Sequence, residues 1–151
     1  MSETPLYVKP LTAQKLTSGY LVDRGGKIHG GIDLISDLKP ENRVVGAIGE
    51  GIVVYDFDGY NPKFRWDCNL PHSCGNSIKI AHKINGLWYV VRYVHLDRNL
   101  VGIGDYVTPG MPIGTYSDAG YSYGAHIHMD MTDQYGRAIN IEEFFSNLGI
   151  L

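Results

Sequence analysis

The sequence predicts a mainly β fold of antiparallel strands that ends in one short helix, and three observations support this fold class. Nineteen glycines among 151 residues, roughly twice the usual share, indicate many tight turns between short strands. Several segments alternate apolar and polar residues with a period of two, as strands with one buried face do. Helical spacing of apolar residues occurs only near the end of the chain. We therefore expect no long helix.

The period-two pattern predicts strands at residues 51–57, 76–82, 87–96, around 106–116 and 125–132. Between the second and third of these segments, Asn85 and Gly86 predict a tight hairpin turn, because both residue types accept the left-handed backbone that such a turn needs. Residues 62–75 lie between predicted strands and are expected to form a long inserted loop. Short connections elsewhere favour an antiparallel arrangement.

The predicted helix lies at the end of the chain. Ile141, Phe144, Phe145 and Leu148 recur at helical spacing, and Asn140 precedes them at the position of an N-cap. A helix of this length has one apolar side, so we expect it to pack against the sheet.

Length and composition indicate one folded domain over residues 1–151 and exclude some partners. Apolar residues make up 44% of the chain, which is enough for a hydrophobic core. The net charge of −3 offers no basic surface, so nucleic-acid binding is not expected. No apolar run approaches the ~18 residues of a membrane span, and the first residues do not have the pattern of a signal peptide. Cys68 and Cys74 lie close together and can pin at most one loop.

Histidines recur on one predicted strand. Alternation along residues 125–132 places His126, His128 and Asp130 on one face, with Ile127, Met129 and Met131 on the other. Two imidazoles therefore project side by side from a strand whose opposite face is apolar. By the same alternation, His95 at the end of another strand shares a face with Tyr93, and it is placed where it could face the first pair. His82 ends an apolar strand.

A third polar element consists of His29 and Asp33, which are separated by Gly30, Gly31 and Ile32. The glycines here predict a tight loop that turns both side chains inward. Two neutral imidazoles and one carboxylate suit a catalytic zinc ion, which takes three protein ligands and keeps a fourth position for water. Spacing alone leaves open which of the two histidines in the His-x-His pair is the ligand, or whether both are.

These motifs together resemble the lysostaphin-type (LytM-like) zinc metallopeptidases, which cleave peptide bonds in bacterial peptidoglycan. The resemblance spans about residues 24–131. It is carried by five motifs in the family's order: His-Gly-Gly-Ile-Asp-Leu at 29–34, Gly-Asn-Ser-Ile-Lys-Ile-Ala-His at 75–82, Tyr-Val-His-Leu at 93–96, Gly-Asp-Tyr-Val at 104–107 with glycines at 110 and 114, and Gly-Ala-His-Ile-His at 124–128.

The resemblance implies antiparallel sheets that form a substrate groove, a bound Zn²⁺ and a defined set of site residues. His29, Asp33 and His128 are implied as the zinc ligands, and His95 and His126 as catalytic residues that do not bind the metal. The implied activity is hydrolysis of peptidoglycan cross-links or stem peptides by a zinc-activated water. Tyr123, where relatives often have threonine, leaves the substrate preference open.

Two expectations about biological role follow from the resemblance. Without a signal peptide, such an enzyme is expected to reach the cell wall in a phage particle, with other particle proteins as partners, or through a holin, or to be one domain of a longer protein. The alternative function is that of a non-catalytic family member that acts as a binding or regulatory module. Members of that kind usually lack zinc ligands, and none of the three is missing from this sequence.

Overall fold

The computed structural model describes residues 6–20, 30–36, 43–59, 75–117 and 125–151. These residues form nine strands of one sheet and one helix. In chain order the elements are β1 (Gln14–Ser18), β2 (Ile32–Ser36), β3 (Val44–Gly46), β4 (Gly51–Phe57), β5 (Asn76–Ile84), β6 (Leu87–Asn99), β7 (Tyr106–Val107), β8 (Pro112–Tyr116), β9 (Ile127–Asp133) and α1 (Ile141–Leu148).

The strands pair antiparallel in the order β1-β2-β9-β6-β5-β4-β7. In addition, β8 pairs with the C-terminal end of β6 on one side and with β3 on the other. The long strand β6 lies at the centre because it pairs with β5 and β9 along its length and with β8 at its end. Strands β2, β9 and β6 are adjacent although they are far apart in sequence. This adjacency places the histidine-bearing segments next to one another. The predicted antiparallel β class is confirmed.

Most of the predicted strands agree with the structure. The strands predicted at 51–57, 76–82, 87–96 and 125–132 are found, with ends that differ by no more than three residues. The single strand predicted around 106–116 is wrong, because a turn that contains Gly110 at a φ of +80° separates β7 from β8. Strands β1, β2 and β3 were not predicted. They are three to five residues long, too short for alternation to be evident.

The predicted hairpin turn and the predicted helix are both confirmed. Asn85 and Gly86 have φ values of 52° and 83°, the left-handed pair that a two-residue hairpin requires. Asn140 caps helix α1, and its side chain accepts a hydrogen bond from the Glu143 N–H. Gly149 ends the helix in a left-handed conformation. The apolar side of α1 packs on the sheet through its buried residues.

The core lies on one face of the sheet, and β9 shows how the sequence selects that face. Ile127, Met129 and Met131 are buried, whereas the residues between them are only partly buried. Tyr93 on β6 is also fully buried, and its hydroxyl accepts a hydrogen bond from the Ile48 N–H. The predicted alternation along β9 is therefore confirmed. In the described ranges, no helix has the length and apolar character to cross a membrane.

Some predictions fall outside the described residues. They concern His29, the two cysteines, Tyr123 and nearly all of the inserted loop at 62–75. These stay predictions.

Candidate metal and catalytic site

The candidate site lies where β2, β9 and β6 run side by side. Asp33 on β2 is directly opposite His128 on β9, and His128 is in turn opposite Val94 on β6. The expectation of a tight loop around Asp33 is wrong, because Asp33 is the second residue of β2 and pairs with β9. A strand holds the carboxylate more rigidly than a loop does, and Gly30 and Gly31 precede the strand.

Asp33, His128 on β9 and His126 just before β9 form a compact cluster. Asp33 Oδ1 lies 3.0 Å from His128 Nδ1 and 3.6 Å from His126 Nε2. Asp33 is buried, with 6% of the residue exposed, and both imidazoles are largely covered. A carboxylate and two imidazoles thus converge in a partly water-excluded position. In such surroundings, charges interact more strongly than they do in bulk water.

His95 joins this cluster through an irregularity in β6. In the pairing of β6 with β5, two residues of β6 between Tyr93 and Leu96 oppose the single residue Ser77 of β5, and His95 has a φ of +68°. Its ring centroid lies 4.6 Å from that of His126 and 6.3 Å from that of His128. Simple alternation, which assigns His95 to the same face as Tyr93, is therefore wrong. The bulge turns the buried His95 toward the cluster, while Tyr93 points into the core.

The electrostatics of the cluster are set by carboxylates on both sides of His128. Burial lowers the pKa of His128, but hydrogen bonds and charges from Asp130 and Asp33 outweigh burial and raise the pKa overall. Burial raises the pKa of Asp130, but His128 and Arg92 outweigh burial and lower it to about 2. Asp130 is therefore ionised at neutral pH. The sequence placed Asp130 on the histidine face but did not indicate Arg92, because the partner depends on the register between β6 and β9.

A glycine lies against the His128 ring. A Cβ atom built on Gly31 would stand 2.8 Å from Cε1 and 2.9 Å from Nε2 of His128, and it would overlap the backbone carbonyl of Met129. Only glycine therefore lets the start of β2 approach β9 so closely. The sequence showed a glycine-rich segment here, and the structure shows which glycine the site requires.

The donor set fits the chemistry of a zinc site. The 3.0 Å between Asp33 Oδ1 and His128 Nδ1 is close to the separation of about 3.3 Å expected for two atoms bound to one tetrahedral zinc ion. Among the described residues, no group of three metal-binding side chains is placed to hold one ion. The third predicted ligand, His29, lies outside them.

His82 lies on β5 and contacts the residue before β4. The residue is 1% exposed, and its Nδ1–H donates a hydrogen bond of 2.9 Å to the Glu50 carbonyl. Within the described part of the chain, Nε2 has no hydrogen-bond partner. Burial lowers the pKa of His82 to about 4, because it outweighs the hydrogen bond to Glu50, which acts to raise the pKa. The ring is therefore neutral at physiological pH and tethers β5 to the residue before β4.

Comparisons with known proteins identify a family and several relatives. The family model of Peptidase family M23 matches residues 27–141, more than half of the chain. Peptidoglycan DD-endopeptidase ShyC of Vibrio cholerae serotype O1 is 32% identical over 104 residues, which cover 69% of this chain and 20% of that protein. The chain spans about a third or less of the length of the curated relatives that it matches.

Solved structures of other peptidases share the fold. A zinc-containing peptidase from Vibrio cholerae superposes with a TM-score of 0.66 at 25% identity, covering 89% of this chain and 39% of that one. Lysostaphin, an antimicrobial peptidase from Staphylococcus simulans, superposes with a TM-score of 0.71 at 24% identity, covering 97% of this chain and 55% of that one. The predicted lysostaphin-type fold is confirmed.

Proposed function

Because the chain belongs to peptidase family M23, the lysostaphin-type metallopeptidases, we propose that it is a zinc-dependent endopeptidase that cleaves peptide bonds of bacterial peptidoglycan. The observation that carries this proposal is the convergence of four side chains at three adjacent strands: Asp33 on β2, His95 on β6, His128 on β9 and His126 just before β9. A carboxylate and several imidazoles in one partly buried cluster are the groups that metal-assisted hydrolysis needs.

We assign the zinc ligands to His29, Asp33 and His128. The 3.0 Å approach of the Asp33 and His128 ligand atoms supports two of these three assignments. A zinc ion held there would act as a Lewis acid, which lowers the pKa of bound water and polarises the scissile carbonyl. The two β-strand ligands are preorganised by direct pairing of β2 and β9, so little ordering is left for the binding step.

We assign proton transfer to His95 and His126. Their ring centroids are 4.6 Å apart, so both imidazoles can reach the same peptide group. In the reaction, the pair accepts the proton of the attacking water, donates a hydrogen bond to the developing oxyanion and delivers a proton to the leaving amine. Neither histidine belongs to the proposed ligand set. Their substitution should therefore impair turnover while leaving zinc bound.

The substrate class proposed is the peptide part of peptidoglycan, either a cross-link or a stem peptide. A relative that bears the name peptidoglycan DD-endopeptidase supports this class, and the family motifs agree with it. Delivery by a phage particle or through a holin, as a tail-associated enzyme or an endolysin, stays a prediction. So does action at the cell wall as one domain of a longer protein.

The proposal is tested by zinc analysis and wall digestion with three variants. We expect the purified protein to bind one equivalent of zinc and to release peptide fragments from purified peptidoglycan, with the cleaved bond identified by mass spectrometry. Asp33→Ala should lose both zinc and activity. His95→Ala and His126→Ala should keep zinc and lose about 10²–10⁴ in turnover, the usual contribution of general acid–base catalysis.

Two outcomes would contradict the assignment. Loss of zinc from His126→Ala would move that residue into the ligand set. Stoichiometric zinc without cleavage of walls of any cross-link chemistry would favour the alternative, a binding or regulatory module.

A further inference from the structure

A salt bridge between neighbouring strands lies next to the proposed ligand His128. Arg92 on β6 and Asp130 on β9 are opposite each other in the sheet. Arg92 Nε lies 3.0 Å from Asp130 Oδ1, and Arg92 Nη2 lies 2.5 Å from Oδ2. The side chains are 36% and 22% exposed. A bidentate pair that is partly shielded from water fixes the carboxylate in one orientation more firmly than an exposed single contact does.

The same carboxylate contacts one of the two ring nitrogens of His128. Asp130 Oδ2 lies 3.1 Å from Nε2, whereas Asp33 Oδ1 lies 3.0 Å from Nδ1. A neutral imidazole carries its proton on one nitrogen and offers a lone pair on the other. A hydrogen bond from Nε2–H to Asp130 therefore leaves Nδ1, on the side of Asp33, as the nitrogen that can bind a metal.

We propose that Arg92 and Asp130 are positioning residues, which hold His128 in the tautomer and orientation that bind zinc through Nδ1. Arg92 orients the Asp130 carboxylate, and Asp130 accepts the Nε2 proton. The inference rests on the proposed function, because it takes His128 as a zinc ligand. Since Arg92 occupies both oxygens of Asp130, this carboxylate supports the ligand and is not a ligand itself. Partners of this kind on metal-bound histidines typically change metal affinity.

The close approach of Gly31 adds to the same restraint. Its backbone lies against the Cε1 and Nε2 edge of the His128 ring, where a Cβ atom would be only 2.8 to 2.9 Å away. The ring is thus restrained by a hydrogen bond at Nε2 and by backbone packing against its Cε1 and Nε2 edge. A ring restrained in these two ways loses little rotational freedom when it binds a metal ion, which favours affinity.

The experiment measures zinc affinity, with the full chain and zinc alone as the probe. Competition with a chromophoric chelator gives the Kd for wild type, Arg92→Gln and Asp130→Asn. We expect both variants to bind zinc about 10–100-fold more weakly than wild type. Arg92→Lys keeps the charge but makes a single contact, so its Kd should fall between those of Arg92→Gln and wild type.

A second salt bridge on the same strand gives a matched control. Arg137 Nε lies 2.8 Å from Asp133 Oδ2, and the Arg137 side chain is 73% exposed. Arg137→Gln and Asp133→Asn remove one positive and one negative charge, as the test variants do, but at the end of β9 and in the turn that follows it. This salt bridge does not include His128, so the zinc Kd of both control variants should equal that of wild type. Equal weakening in the control variants would overturn the proposal, because it would show a general effect of charge or stability.

Nitrogen NMR of the zinc-loaded wild type tests the tautomer without any substitution. We expect the His128 proton on Nε2 and zinc on Nδ1, and the reverse arrangement would overturn the proposal. Wild-type zinc affinity in both Arg92→Gln and Asp130→Asn would overturn it too, while leaving the proposed function intact. A wild type that binds no zinc would instead refute the proposed function, and the positioning role with it.

Discussion

The buried His82 makes the stability of the fold depend on pH. Burial lowers the pKa of this ring to about 4 in the folded protein, whereas the pKa is about 6.5 in an unfolded chain. Between these two values the unfolded state binds a proton more readily than the folded state does. The free energy of unfolding contributed by His82 is therefore fully retained above about pH 6.5 and decreases as the pH falls toward 4.

The magnitude follows from the size of the shift. At about 1.4 kcal/mol for each pKa unit, the unfolding free energy falls by about 3 kcal/mol between neutral pH and pH 4. No correction for solvent screening is needed, because the residue is 1% exposed. The cost arises because protonation would place a charge in a buried site. The added proton would go on Nε2, which has no acceptor among the described residues, since Nδ1 already donates to the Glu50 carbonyl.

Urea unfolding at a series of pH values measures the effect, with His82→Asn as the comparison. Asparagine keeps a donor near the position of Nδ1 but does not titrate, so the difference in unfolding free energy between the two proteins isolates His82 from the other histidines. We expect this difference to shrink by about 3 kcal/mol from neutral pH to pH 4. Parallel pH curves for the two proteins, or a His82 NMR midpoint near 6.5 in the folded protein, would refute the reasoning.

Three further substitutions test packing and capping by urea unfolding. Gly31→Ala forces a Cβ into a β9 carbonyl and toward the His128 ring, so we expect a loss of about 1–3 kcal/mol and weaker zinc binding in a chelator titration; a normal zinc Kd would contradict this. Tyr93→Phe leaves the buried Ile48 N–H without its acceptor, at a cost of about 1–3 kcal/mol; an unchanged midpoint would show that this bond contributes nothing. Asn140→Ala removes the helix N-cap and should lower the free energy of unfolding by about 1 kcal/mol. Asn140→Ser keeps a side-chain oxygen that can cap the helix, so it should leave this free energy nearly unchanged.

Local patterns predicted the elements whose structure depends on near neighbours. The Asn85-Gly86 turn and the capped helix α1 are set by backbone preferences within a few residues. The alternation of β9 was predictable because one of its faces is buried along the whole strand. The short strand β2 was not predictable. Four of its five residues are buried, so it shows no alternation, and the glycines before it favoured a loop.

The candidate site was also predictable only in the part that depends on local sequence. Sequence motifs alone identified Asp33, His95, His126 and His128 as residues of interest, but they assigned His95 to the wrong face. The bulge that turns His95 toward His126 comes from a register shift between β5 and β6. A register shift is a relation between two strands, and a pattern within one strand does not contain it.

By itself the sequence determined the antiparallel β class, the polar face of β9 and the chemical types available for a metal site, because each depends on residue type and local spacing. Only the tertiary structure decided that β2, β9 and β6 are neighbours, which brings Asp33 within 3.0 Å of His128, and that Arg92 pairs with Asp130 across the sheet. These contacts join residues that are distant along the chain. They arise only when burial of the apolar faces selects one strand order and one register.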